Sequence, residues 1–126
     1  MYQRHITGKD GEDKAVEYLQ AHGYDILERN WQLRIGEIDI IASKDHVIYF
    51  FEVKTRSGLK YGHPFAAISR HKRYIIRRLG SAYVANHNLS YRALSVGAIG
   101  IIRDQIIILP SIDSKTASPY TRPRLM

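Results

Sequence analysis

Residues 37–54 read EIDIIASKDHVIYFFEVK, and the reading of this stretch decides the fold. Residues 37–43 read as one strand, Lys44-Asp45-His46 as a turn, and residues 47–54, rich in β-formers, as a second strand. Together they make a hairpin. Side chains alternate between the faces of a strand, so Glu52 and Lys54 point the same way, and Glu37 and Asp39 share a face of the preceding strand. If the hairpin pairs as drawn, Asp39 and Glu52 converge near one end of the sheet.

Working outward toward the N-terminus, Ala15, Val16 and Leu19 recur at helical spacing. Thr7 is a candidate cap with Asp10 three residues on, and Gly23 is a natural stop. A strand through Tyr24, Ile26 and Leu27 follows, and residues 30–36 read as a connection. On the other side of the hairpin, residues 55–64 hold two glycines and a proline and read as a loop. Residues 65–88 have a helical pattern, with Ile75, Ile76, Leu79 and Tyr83 as the apolar stripe. Two more strands, 96–102 and 105–109, flank Arg103-Asp104, and the polar, basic residues 111–126 read as a flexible tail. This order predicts an α/β sandwich, a central mixed sheet flanked by helices, in one domain over residues 1–110.

Composition narrows the function classes. The chain has 126 residues, 44% hydrophobic and 25% charged, enough for one modest core. It has no cysteine, which excludes disulfides and thiolate metal sites and fits a reducing cytoplasm. No apolar run approaches the ~20 residues of a spanning helix, and no signal peptide is visible, so no membrane role is expected. The net charge of +7 is unevenly spread. Residues 1–52 carry six Lys/Arg against ten Asp/Glu, whereas residues 53–103 carry ten Lys/Arg and no acid. A purely cationic half suits a polyanion, because Lys and Arg displace condensed counterions from phosphates. The plain alternative is a solvated charged face.

Two carboxylates held a few Å apart repel each other and need a cation or a shared proton. Oxygen ligands of this kind suit Mg²⁺ or Mn²⁺. Phosphodiester hydrolysis uses such a pair, and a lysine two residues past the glutamate orients or deprotonates the attacking water, or stabilises the charged transition state. Asp39 and Glu52 are therefore the candidate metal ligands and Lys54 the candidate catalytic lysine. Acids and lysines at strand ends also simply face solvent, so the spacing by itself is weak.

Two further residues bear on it. Glu12 shares a helix face with Ala15, Val16 and Leu19, which puts a carboxylate inside an apolar stripe. It is either a site residue or a first-turn glutamate favoured by the helix dipole. Lys72 extends the stripe of Ile76, Leu79 and Tyr83, and either enters the site or snorkels to solvent. Arg56, Lys60, Arg70, Lys72, Arg73 and Arg77 are the candidate phosphate contacts. Trp31 is a core or loop anchor, or a platform for a base. The six histidines show no paired ligand spacing.

At Gly11-Glu12, Glu28-Arg29-Asn30-Trp31, Gly36-Glu37-Ile38-Asp39 and Glu52-Val53-Lys54-Thr55-Arg56 the chain resembles the YraN family of bacterial restriction-endonuclease-like proteins, akin to archaeal Holliday-junction resolvases. The resemblance covers about residues 8–102 and includes Gly62 and the Lys72 region. It implies a PD-(D/E)xK fold, with Asp39 and Glu52 holding Mg²⁺ or Mn²⁺, Lys54 catalytic, and Glu12 matching the helix-1 glutamate of the resolvase-like relatives. DNA cleavage leaving a 5′-phosphate and a 3′-hydroxyl, and a homodimer acting on branched DNA, are further implications. Ile38 replaces the superfamily's proline, and Ser95 stands where the family's aspartate is expected. The reading is a metal-dependent DNA endonuclease. Its alternative is a catalytically silent nucleic-acid-binding module working with repair or recombination partners.

Overall fold

The computed structural model describes residues 8–60 and 62–112. Helix α1 (Gly8–Ala21) leads into strands β1 (Asp25–Leu33), β2 (Gly36–Lys44) and β3 (Val47–Arg56). A short 3-10 helix (Pro64–Ala67), helix α2 (Arg70–His87), and strands β4 (Ala93–Ile102) and β5 (Gln105–Leu109) complete the order. The five strands form one mixed sheet in sequence order. Only the β3–β4 pair is parallel, because the connection between them carries α2 across a face of the sheet.

The expected hairpin is present, with Ile40 opposite Phe51 and Lys44 opposite Val47. Asp45 and His46 both adopt positive φ, the backbone of a two-residue hairpin turn. Each face of the sheet has its own core. Ala15 and Leu19 of α1 pack with Ile40, Ala42, Phe51, Ile99 and Ile101. Ile76, Leu79, Tyr83 and Val84 of α2 pack with Ile41, Ile48, Phe50 and Val96. The residues of β3 alternate between the two clusters, as a strand covered on both faces requires.

Gly80 sets how closely α2 approaches the sheet. A Cβ there would lie 2.5–2.7 Å from three carbons of the buried Phe50 ring. Gly80→Ala gains roughly 1 kcal/mol of helix propensity, but the overpacking costs about 1–3 kcal/mol. The expected result is a net loss of stability, read as a lower denaturation midpoint. A midpoint equal to or above wild type would show that the ring can yield.

Several elements depart from the sequence expectation. Residues 30–33 are strand, not connection, and only Arg34-Ile35 form the turn between β1 and β2. The edge position of β1 leaves its side chains largely exposed, which removes the apolar alternation a strand is read by. The helical pattern over 65–88 is two elements, since Ser69 caps α2 by accepting from the Lys72 N–H (3.0 Å). Asn88 closes α2 in the left-handed conformation. The fourth strand begins at Ala93, earlier than expected. Ser111 and Ile112, assigned to the tail, still belong to the packed unit: the Ile112 N–H donates to Val96 O (2.8 Å) and Ile112 packs on the α2-side core. Thr7 and residues 113–126 lie outside the described residues.

Candidate active site

The β2–β3 ladder stops at Ile40–Phe51, while β1–β2 pairing runs on to Leu33–Gly36 and β3–β4 pairing to Arg56–Ile102. The sheet therefore opens between its second and third strands at one end. One step further along the same register, Asp39 stands opposite Glu52. Instead of a backbone pair, the Val53 N–H donates to Asp39 Oδ2 (2.8 Å), so the carboxylate itself closes the gap. The alternation of β2 also breaks here. Ile40 belongs to the α1-side core and Ile38, two residues away, to the α2-side core. The β1 residue between the flanking pairs, Asn30, has φ +51, which kinks β1 opposite Asp39. Ile38 thus fills the core beside Trp31, and Trp31 makes an edge contact with Tyr83 (5.2 Å between ring centroids). Trp31 is a core anchor.

Glu52 is 4% exposed. Its Oε2 faces Lys54 Nζ at 3.4 Å and Lys72 Nζ at 3.6 Å. Its Oε1 is buried with no hydrogen-bond partner. Lys72 thus enters the site, and its backbone is set by the Ser69 cap at the start of α2. Burial, and then the negative charge of Glu52, push the Asp39 carboxyl up to about 7, against the pull of the Val53 N–H. Glu12 and Glu37 add smaller pushes in the same direction. Two carboxylates share this split, and the protein by itself does not favour ionising both.

Glu12 is placed near the site but is held by other groups. Arg29 donates to its Oε1 (3.0 Å) and Asn30 to its Oε2 (2.9 Å), while Arg29 also bonds Asp13 (2.6 Å). The Arg29 hydrogen bond holds Asp13 below the usual carboxylate range. Gly11 lets the first turn of α1 lie against Thr55 and Ile101, space that a Cβ would occupy. Arg29 and Asn30 carry no role that periodicity could reveal. Their importance comes from the kink in β1 and the docking of α1 across it.

The cations cluster at the same end. Lys54 and Arg56 lie at the end of β3, and Arg70, Lys72 and Arg73 begin α2. Arg56 donates to Thr55 O (3.1 Å). Lys60 and Arg77 are exposed. Arg73 is committed elsewhere, since its Nη1 donates to Ile112 O (3.1 Å). Arg103, in the β4–β5 turn, extends the group by donating to Ser57 O (2.8 Å) in the loop after β3. Ser95 lies away from the split, paired with Tyr49, and its hydroxyl donates to Pro110 O (2.7 Å). It anchors the chain after β5. A cleft of about 390 Å³ lined by Lys44, Asp45, His46 and Leu89 lies at the opposite end of the sheet, around the β2–β3 turn.

Residues 11–108 match the family described as "Uncharacterised protein family UPF0102". The chain belongs to this family. It is the YraN family that the sequence motifs resemble. A UPF0102 protein of Leifsonia xyli subsp. xyli is 42% identical over 102 residues, covering 81% of this chain and 86% of the relative. One from Dictyoglomus turgidum is 41% identical over 95 residues, 75% and 80% of the two chains. One from Caldicellulosiruptor saccharolyticus is 44% identical over 88 residues, 68% and 75%. The matched span, residues 11–108, takes in most of α1, all of β1 to β4 and α2, nearly all of β5, and every residue of the split. No described helix is long and apolar enough to cross a membrane.

Proposed function

We propose that this protein is a metal-dependent DNA endonuclease with a restriction-endonuclease-like site, in which Asp39 and Glu52 hold Mg²⁺ or Mn²⁺ and Lys54 is the catalytic lysine. The observation that carries this reading is the buried, unpartnered Glu52 Oε1 beside a second carboxylate that burial and Glu52 keep from ionising easily. A buried acceptor without a partner calls for a cation or a donor. Asp39 and Glu52 put two carboxylates at the split, and among the described residues no group of three or more His, Cys, Asp or Glu side chains forms a metal site. That suits Mg²⁺, which retains several waters and binds through one or two carboxylates plus substrate phosphate.

When bound, the ion supplies positive charge to the phosphodiester and to the attacking water. The protein's own contribution is positional. The Val53 N–H fixes one oxygen of Asp39, and β3–β4 pairing, Glu52 with Ala98 and Lys54 with Gly100, holds the backbones of Glu52 and Lys54. Lys54, whose ammonium lies 3.4 Å from Glu52 Oε2, would orient water or stabilise developing charge at a phosphate bound there. Arg56, Lys60, Arg70 and Arg77 bind flanking phosphates.

Purified protein with Mg²⁺ or Mn²⁺ should cut at least one of branched, single-stranded and duplex DNA, and Asp39→Ala should not. Duplex affinity should fall with salt at a log–log slope of roughly −0.9 per phosphate contacted. Absence of cleavage on all three substrates sinks the nuclease reading, and a flat salt response removes the DNA. A second reading, a nucleic-acid-binding module without turnover, is favoured by one observation: two lysines already balance the Glu52 charge without any metal. Salt-sensitive binding, indifferent to metal and without scission, selects it.

A further inference from the structure

The two oxygens of Glu52 have unequal surroundings. Oε2 has two ammonium groups within 3.6 Å and Oε1 has no hydrogen-bond partner. Both ammonium groups thus face one oxygen of the carboxylate, and the other oxygen is left for a further cation or donor. The two lysines are also differently tethered. Lys54 sits two residues from Glu52 on the same strand, its backbone fixed by pairing with Gly100. Lys72 reaches across from the first turn of α2, and its side chain is 39% exposed. A four-carbon stem anchored on a helix and open to solvent can change partner at little cost.

We infer that Lys72 is a displaceable internal counter-ion: it occupies Glu52 in the free protein and transfers to a nucleic-acid phosphate when substrate arrives, leaving Glu52 to the divalent cation. The inference rests on the nuclease reading above. An ammonium and a divalent ion compete for the same carboxylate charge, so Lys72 opposes metal binding in the free protein. A phosphate that draws Lys72 away removes the opposition. Nucleic acid and metal then favour each other's binding, and by linkage the effect is reciprocal. Lys72 is a positioning residue in this scheme, and it weakens the metal site, without abolishing it, until a phosphate draws the ammonium away.

The test is Mn²⁺ binding to the full chain without nucleic acid, measured by titration calorimetry. Lys72→Gln should tighten Mn²⁺ on the order of tenfold, because it removes a unit charge a few Å from the ion. Lys72→Arg keeps the charge and should stay near wild type. Arg78→Gln makes the same change in net charge at an exposed position stacked near Tyr74, and should move the affinity little. Adding a duplex with non-hydrolysable linkages should tighten Mn²⁺ in wild type more than in Lys72→Gln. A Glu52-dependent Mn²⁺ site indifferent to Lys72→Gln, or tightened equally by Arg78→Gln, overturns the inference and leaves the nuclease reading standing. A wild-type protein with no Mn²⁺ site that Glu52→Gln removes overturns both.

Discussion

Glu52→Gln is expected to lower metal-dependent DNA cleavage by a factor on the order of a thousand or more while the protein stays folded. A thousandfold is about 4 kcal/mol of barrier, within what charge stabilisation at a phosphoryl centre provides. The substitution keeps the volume of a side chain that is 4% exposed, so no cavity opens in the sheet. It also removes one of two like charges from the split, which relieves Asp39. Lys54 and Lys72 lose their partner, but both side chains are about a third exposed and rehydrate. Fold and activity should therefore separate cleanly. Single-turnover rates with Mn²⁺, alongside a thermal melt, check both halves. A folded Glu52→Gln protein that cleaves like wild type takes Glu52 out of the chemistry.

The second large effect is a stability profile that falls with pH. Asp39 has an ordinary value of 3.8 and is pushed up to about 7 in the folded chain. The folded state thus keeps a proton that the unfolded chain loses near pH 4. The stabilisation from this group is full below pH 4 and is lost as pH rises through about 7. In the presence of a chelator, wild type should lose a few kcal/mol between pH 5 and pH 8 through this group, roughly 10 °C in Tm. Asp39→Asn cannot ionise, and its amide oxygen can still accept from Val53. It should show a flatter profile and overtake wild type above pH 7. On the proposed function, Mg²⁺ should narrow that gap by neutralising the ionised pair. Parallel profiles for the two proteins would mean that Asp39 ionises freely and that the two carboxylates do not oppose each other.

The site was partly legible because its three central residues sit on one hairpin. Strand alternation puts Glu52 and Lys54 on one side whatever the rest of the chain does, and a short turn fixes the register that brings Asp39 level with Glu52. Lys72 was legible as a helix position but not as a contact. Its stripe with Ile76, Leu79 and Tyr83 allows both solvent and site, and only the close packing of α2 over Phe50, permitted by Gly80, chooses the site. Arg29 and Asn30 were legible only as a motif. Their hold on Glu12 needs α1 laid across a kinked edge strand, and neither the kink nor the crossing leaves a periodic trace.

Local chemistry along the chain determined the β2–β3 hairpin, most of the two helices, the acid-free cationic half and the identity of the residues at the split. These follow from spacing and side-chain type, which act over a few residues. Tertiary structure decided that β1 continues through Asn30 to Leu33, that the sheet opens between β2 and β3, and that Glu52 keeps one oxygen buried and unpartnered while two lysines share the other. These depend on groups distant in sequence meeting in a dry interior. There the energy of a charge is set by what surrounds it, and no local pattern reports that.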